Sequence, residues 1–299
     1  MSTLSPARDL PTNLPTAGRG PRSGGGAWWI YLLLFLGILI LVGPFVWMVL
    51  GSFKTTGELR QVPPTWFPEA PTLANYEDLF SRLNFLGYFF NSTVVALAVT
   101  IGNIVFCSML GYALAKLTFP GKQLLFVVVL GTLMVPSVVT FMPLFVLVAN
   151  LNLVNTHAGM ILPFLAGAFG VFLMRQFISG IPDELLDAAR VDGAGEHYIF
   201  WRIIMPLCGP ALATLTILTF LGSWNSFLWP LVVATGEDMF TLPVAVAFLA
   251  TGQTETNVAL LMAGSVVVIL PVIVVVPVLI VFIVLQRYFT QGIAMTGIK

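Results

Sequence analysis

Six stretches of this chain carry almost nothing but apolar side chains for about 20 or more residues each, and few folds can accept that. They lie at about 27–50, 89–115, 123–148, 158–177, 208–234 and 259–285. A helix needs roughly 20 such residues to cross the hydrocarbon core of a bilayer. In lipid, every backbone N–H and C=O must find its partner inside the structure, which a helix provides. Charged residues make up 9% of the chain and apolar residues 58%, whereas an ordinary soluble domain is about 25% charged. The expectation is an all-α polytopic membrane protein with six transmembrane helices.

The domain plan follows from the same pattern. Residues 1–26 hold Pro6, Pro11, Pro15, Pro21 and Gly24-Gly25-Gly26, too little apolar surface to order a chain, and are expected to be a disordered cytoplasmic tail. Residues 27–285 form the membrane domain, with a longer polar segment at 181–206, and 286–299 form a second cytoplasmic tail. The first apolar run is longer than a cleavable signal core, so it is expected to stay as a span. Prolines fall inside most spans (Pro44, Pro136, Pro143, Pro163, Pro230, Pro271 and Pro277), where they read as kinks or tolerated bends. Lys and Arg set the orientation. With the N-terminus inside, Arg8, Arg19, Arg22, Lys116, Lys122, Arg175, Arg190, Arg202, Arg287 and Lys299 are cytoplasmic, and only Lys54, Arg60 and Arg82 are outside. Both termini are therefore expected in the cytoplasm of a cell-membrane protein.

Ionisable residues within spans mark proton relays and ion paths, because they are costly to keep there. Here the charged residues lie outside the spans or at their ends, which argues against a proton-coupled carrier and leaves a sodium-coupled one open. Net charge is zero, so nothing points to nucleic acid. No G-x-x-x-x-G-K-[ST] loop is present to cradle phosphates. Cys107 and Cys208 read as small buried hydrophobes. His157 and His197 stand apart and have no metal-ligand spacing, and His157 reads as a polar residue at a helix start. No metal site and no catalytic constellation emerge. If the protein moves something uphill without an ion gradient, the energy must come from another subunit.

The segment IPDELLDAARVDGAGEHYIFWRIIMP at 181–206 differs from the other loops. Pro182 suits the first helical position, and Asp183 and Glu184 follow where the helix dipole favours negative charge. Leu185, Leu186, Ala188, Ala189 and Val191 supply an apolar face, and Gly193 stands where a helix commonly ends in a left-handed residue. A second amphipathic stretch runs from about Glu196 to Met205. The Ala188-Ala189 pair leaves room for a partner surface to approach closely, with Asp187 and Arg190 at its rim; a connector lying on the membrane is the alternative.

This stretch resembles the coupling loop of ATP-binding-cassette importer permeases, E-A-A-x-x-x-G followed after nine residues by I-x-L-P. The matching positions are Asp187-Ala188-Ala189, Gly193, Ile203, Met205 and Pro206, with Asp for Glu and Met for Leu. GYALAKLTFPGK, LMVPSVVTFMPLFVL, WNSFLWPLVV, LLMAGS and QRYFTQGIAMTGIK also resemble the carbohydrate-uptake branch, of the maltose-permease G type. The resemblance implies a type I importer permease fold with a cytoplasmic coupling helix. It implies a second permease subunit, two ATPase subunits that hold the ATP and magnesium, and an extracytoplasmic solute-binding protein, with no cofactor on this chain. It further implies that Asp187, Ala188, Ala189, Gly193, Ile203 and Pro206 dock on the ATPase, and that Gln291, Gly292, Gly297 and Lys299 belong to a tail reaching between the ATPases. The cargo implied is a sugar; glycerol phosphate, or a self-contained carrier, is the alternative.

Thr219, Ser223 and Ser226 recur at three- to four-residue spacing on the fifth span, beside Trp224, Asn225 and Trp229. Polar groups in lipid face a cavity or another helix, so this stripe lines a substrate path or hydrogen-bonds a neighbouring subunit. Ser226 replaces the acidic residue of the family pattern W-N-[DE]-F-L-W-P.

Overall fold

The computed structural model describes residues 28–82, 84–250 and 257–269, which are helical with no strand among them. The chain divides after Trp47 into two compact units. The first is carried by α1, the apolar helix Trp28–Ser52, whose final turn belongs to the second unit; Pro44 lies inside it.

The second unit opens with a polar stretch. Asn75 donates from Nδ2 to Ser52 O and Lys54 O, each at 2.8 Å. Lys54 is buried, 3.7 Å from the Glu58 carboxylate. After α2 (Ala74–Arg82) comes α3, the 32 residues Phe85–Lys116. This helix widens to a π-turn at Asn103–Cys107. Thus the first two expected spans correspond to unbroken helices long and apolar enough to cross a membrane, and these are two in number among the described residues.

The next spans are broken. The expected span 123–148 is two helices, α4 (Lys122–Met134) and α5 (Ser137–Asn150), bent by 104°. The cause lies in Val135-Pro136. A residue before proline is forced out of the helical region, and Val135 is extended at φ −82°, ψ 118°. The expected span 158–177 is α6 (His157–Phe164) and α7 (Ala168–Ser179), bent by 41°. Asn103 bridges this break: its Nδ2 donates to Phe164 O at 2.7 Å and its Oδ1 accepts from Gly167 N at 2.9 Å.

Two short helices follow, α8 (Asp183–Val191) and α9 (Glu196–Leu207). The sequence placed the end of α9 before Pro206. It runs on to Leu207: its middle, Ile199–Ile204, is a π-turn, and Pro206 stands in the first positions of the turn that follows, where a missing N–H is tolerated. The expected span 208–234 is α10 (Gly209–Trp224), set at 79° to α9, and then α11 (Leu228–Val233). The last described helices are α12 (Leu242–Ala250) and α13 (Val258–Ile269). The remainder of the expected span 259–285 and both tails lie outside the described residues.

Glycines let α3, α7 and α10 approach. A Cβ at Gly111 would stand 2.8 Å from Met174 Cβ and 2.9 Å from Arg175 N. One at Gly170 would stand 2.8 Å from Cys107 Sγ and 3.0 Å from Leu215 Cδ1. Small residues at such crossings are the usual device where lipid offers no hydrophobic drive between helices. The core around Cys107, Tyr112, Met174 and Ile178 also takes in Leu186, Ile199 and Ile204. The α8–α9 segment is therefore packed into the helical body.

Candidate functional site

Two places bring the chemistry-bearing residues together. The first is α8. Pro182 is extended at φ −59°, ψ 135°, and the helix begins at Asp183. It ends in a Schellman motif: Gly193 has φ +83°, Ala194 N donates to Ala189 O at 2.9 Å, and Gly193 N donates to Arg190 O at 3.0 Å. The requirement for glycine is the backbone's, since nothing lies within 4 Å of a Cβ built there. Helical phase divides the apolar residues. Leu186 is fully buried and Ala189 packs on the same core, whereas Leu185, Ala188 and Val191 are exposed. Of the expected Ala188-Ala189 pair, only Ala188 is on the outer surface.

A polar chain binds this segment to the end of α3. Arg190 donates from Nε to Glu196 Oε1 at 2.9 Å and from Nη1 to Asp187 Oδ1 at 2.8 Å. The Tyr112 hydroxyl donates to Glu196 Oε2. Lys116, 5% exposed, donates to Asp183 Oδ1 and to Ile181 O, both at 2.6 Å. The Arg190 hydrogen bond, with that of Tyr112, holds the Glu196 carboxyl below its ordinary 4.5 against the opposing effect of burial. Lys116 lowers Asp183 in the same way, and Glu196 raises Arg190.

The second place is a cavity of about 290 Å³ walled by Val95, Val99 and Asn103 of α3, Met160 and Phe164 of α6, and Thr219, Ser223, Ser226 and Trp229. A neighbouring cavity of about 480 Å³ shares Phe164, Ser226 and Trp229 and adds Ser137, Thr140 and Phe141. Trp229 donates its indole N–H to Gly159 O at 3.2 Å and meets Phe141 and Phe164 edge-on, at 5.7 and 5.5 Å. Hydroxyls on α10 and just past its end, at Ser226, fall into two groups. Thr214 and Thr216 return theirs to Pro210 O and Leu212 O, at 3.0 and 2.7 Å. Those of Thr219, Ser223 and Ser226 make no hydrogen bond among the described residues, and these residues line the cavity.

Residues 107–295, which hold α8, α9 and most of the cavity, match the model of the family described as binding-protein-dependent transport system inner membrane component. The chain belongs to this family. The permease is 41% identical over 275 residues to the arabinooligosaccharides transport system permease protein AraQ of Bacillus subtilis (strain 168), covering 90% of this chain and 95% of that one. It is 34% identical over 245 residues to the diacetylchitobiose uptake system permease protein NgcG of Streptomyces coelicolor, 81% of each chain. To the sn-glycerol-3-phosphate transport system permease protein UgpE of Yersinia enterocolitica it is 33% identical over 271 residues, 88% and 94% of the two chains. Its fold is that of a chain in the crystal structure of a bacterial ABC transporter involved in the import of the acidic polysaccharide alginate, with a TM-score of 0.73 at 24% identity over 90% of this permease. The expected family and its fold class stand: this is the multi-pass, non-catalytic membrane subunit of an importer.

Within the permease, Asp187, Ala188 and Gly193 share the outer rim of α8, while Ile203 is half-buried and Pro206 exposed on α9. Thr219, Ser223 and Ser226 share a cavity, but Trp224 and Asn225 do not join them. One residue past Ser223 is about 100° around a helix. Trp224 accordingly points away, stacked on Phe220 at 6.0 Å and edge-on to Phe89 at 5.9 Å, and Asn225 donates from Nδ2 to Leu221 O at 2.9 Å. Gln291, Gly292, Gly297 and Lys299 lie outside the described residues. Sequence reasoning missed Tyr112, Lys116, Glu196 and Asn103 as a set, whereas Trp229, named beside the hydroxyl stripe, does line the cavity. The signal for Asn103 was an amide in the middle of an apolar span, and Tyr112 and Lys116 lay in the family-like stretch GYALAK. His157 does begin a helix, and its Nε2 lies 2.9 Å from Asn91 Oδ1. Since Asn91 Nδ2 donates to Asp238 O and Phe240 O, the imidazole is the donor.

Proposed function

We propose that this permease forms one half of the translocation path of an ATP-driven importer for a di- or oligosaccharide, and that α8 is the element an ATPase subunit grips. In this reading both termini and the segment 181–206 are cytoplasmic, and Asp187, Ala188, Ala189, Gly193, Ile203 and Pro206 form or support the docking surface. Two ATPase subunits bind the ATP and magnesium, a second permease completes the path, and a solute-binding protein delivers cargo to the outer face around 235–258. The reading also assigns Gln291, Gly292, Gly297 and Lys299, outside the described residues, a contact with the ATPases. Residues 1–26 remain a cytoplasmic tail, and lipid surrounds 27–285.

The observation that carries the cargo assignment is the cavity with three free hydroxyls beside an indole. Aromatic faces suit the C–H faces of sugars, and unsatisfied hydroxyls suit their O–H groups. The UgpE likeness favours a second reading, glycerol phosphate. Against it, no Lys, Arg or His is among the described residues lining either cavity, so a phosphate entering there meets no cation among those residues to offset its lost hydration. The test is ATP-dependent uptake by the complex purified through a tag on this chain and reconstituted with its binding protein. Labelled arabino-oligosaccharide, chitobiose and glycerol-3-phosphate are compared. Uptake of a neutral saccharide is expected; preferential uptake of glycerol-3-phosphate, or accumulation by this chain alone, overturns the reading.

A further inference from the structure

Backbone connectivity ties α8 to α7, which ends four residues before it, and α9 to α10. The strong polar contacts run elsewhere. Tyr112 and Lys116, one turn apart at the end of α3, hold Glu196 of α9 and Asp183 of α8 respectively. Arg190 then closes the loop between α8 and α9 through Glu196. Lys122, the other cation near Asp183, is occupied in capping α3, donating to Ala115 O and Leu117 O at 3.2 and 2.8 Å. Two anchors with different chemistry on adjacent turns, together with the buried Leu186, Ile199 and Ile204, restrain the segment from rotating against α3. From Tyr112, α3 runs back through its π-turn to Asn103, Val99 and Val95, which wall the cavity. The 13 residues from Tyr112 to Val99 span about 20 Å at helical rise.

We propose that Tyr112 and Lys116 are positioning residues that lock the α8–α9 segment to α3 as one rigid unit, so that a displacement imposed on α8 is delivered along α3 to the cavity wall. This rests on the coupling role proposed for α8 and adds the route by which its motion travels. Tyr112 keeps its ring in the core against Phe200, 5.6 Å away, so removing the hydroxyl alone leaves packing in place.

The test uses the assembled importer with spin labels at Met109→Cys on α3 and Glu184→Cys on α8, the native Cys107 and Cys208 being buried. The label-to-label distance is measured without nucleotide and with magnesium, ATP and vanadate. A single narrow distance, unchanged by nucleotide, is expected. Tyr112→Phe, Glu196→Gln and Lys116→Met are each expected to broaden or shift it by several Å once nucleotide is added, and Lys116→Arg to restore it. Because the Tyr112 hydroxyl touches the segment through Glu196, which also holds Arg190, the double variant should be no worse than Glu196→Gln alone. A distance in the parent complex that itself moves with nucleotide overturns the proposal, as do unchanged distances in the three variants or additive losses in the double. Gly193→Trp is run alongside, with uptake per ATP hydrolysed as its readout. If it uncouples the two while the anchor variants behave as the parent, the lock is wrong and the coupling role stands. If it too has no effect, the coupling role falls.

Discussion

Asn103 Nδ2 lies 2.7 Å from Phe164 O, across the break where α6 gives way to α7. The same side chain accepts from Gly167 N at 2.9 Å and donates to Val99 O at 2.9 Å, so one amide in α3 satisfies both sides of a broken helix. Asn103→Leu is expected to lower unfolding free energy by about 1–3 kcal/mol, seen as an earlier midpoint in denaturant titration of the detergent-solubilised protein. A midpoint equal to the parent's would mean that the bridge contributes nothing.

Gly193 gives a prediction in which conformation and crowding separate. Its φ of +83° is disfavoured for residues with a Cβ, but space around it is open. Gly193→Ala should therefore lose about 1 kcal/mol, or a few degrees in melting temperature, and Gly193→Asn less, because asparagine tolerates this region. Gly111 is the contrast: its Cβ would meet Met174 and the α7 backbone, so Gly111→Ala should cost more than Gly193→Ala. Equal melting of the two would show that helix spacing is looser than the geometry implies.

The first two long apolar helices were legible because lipid forces long apolar runs, and the α8 boundaries because Pro182 and Gly193 act locally. Bends were only half legible. Pro136 announces an interruption, but 104° as against 41° depends on what packs on each arm. Periodicity resolved Thr219, Ser223 and Ser226 into one stripe; grouping Trp224 with them followed sequence adjacency instead of helical angle, and failed. The Tyr112–Glu196 bond joins residues 84 positions apart, and no local pattern encodes such a pairing. Ala189 turned inward for a reason the spacing did contain, since it follows the buried Leu186 by three residues.

Glu196 predicts a pH response with a definite sign. Its folded carboxyl titrates below the ordinary 4.5, chiefly through Arg190. A depressed carboxylate contributes stability that is fully present above the unfolded value and is lost as pH falls through the folded one. Melting temperature should hold steady from neutral pH down to about 5, then fall. Glu196→Gln, which cannot ionise, should start lower at pH 7 and show a shallower acid decline. Asp183 contributes with the same sign through Lys116, so Glu196→Gln with Lys116→Met should flatten the profile further. Identical slopes for parent and Glu196→Gln would show that the Arg190 contact is lost in solution.

The free hydroxyls on α10 carry the last prediction, with Thr216 as the internal control. Ser223→Ala removes a hydroxyl that has no partner among the described residues and faces the cavity, so it costs the fold little. If cargo supplies the missing partner, each lost bond of about 1 kcal/mol should raise the KM for uptake about fivefold. Thr219→Val should act alike. Thr216→Val removes a hydroxyl already returned to Leu212 O and should leave KM where it was. Ser223→Leu, which fills part of a cavity of about 290 Å³, should abolish uptake while the complex still assembles and melts normally. Uptake kinetics of the four variants in proteoliposomes decide the matter. Should Ser223→Ala and Thr219→Val match the parent, the stripe serves contact between helices, and the cargo path runs along the other subunit.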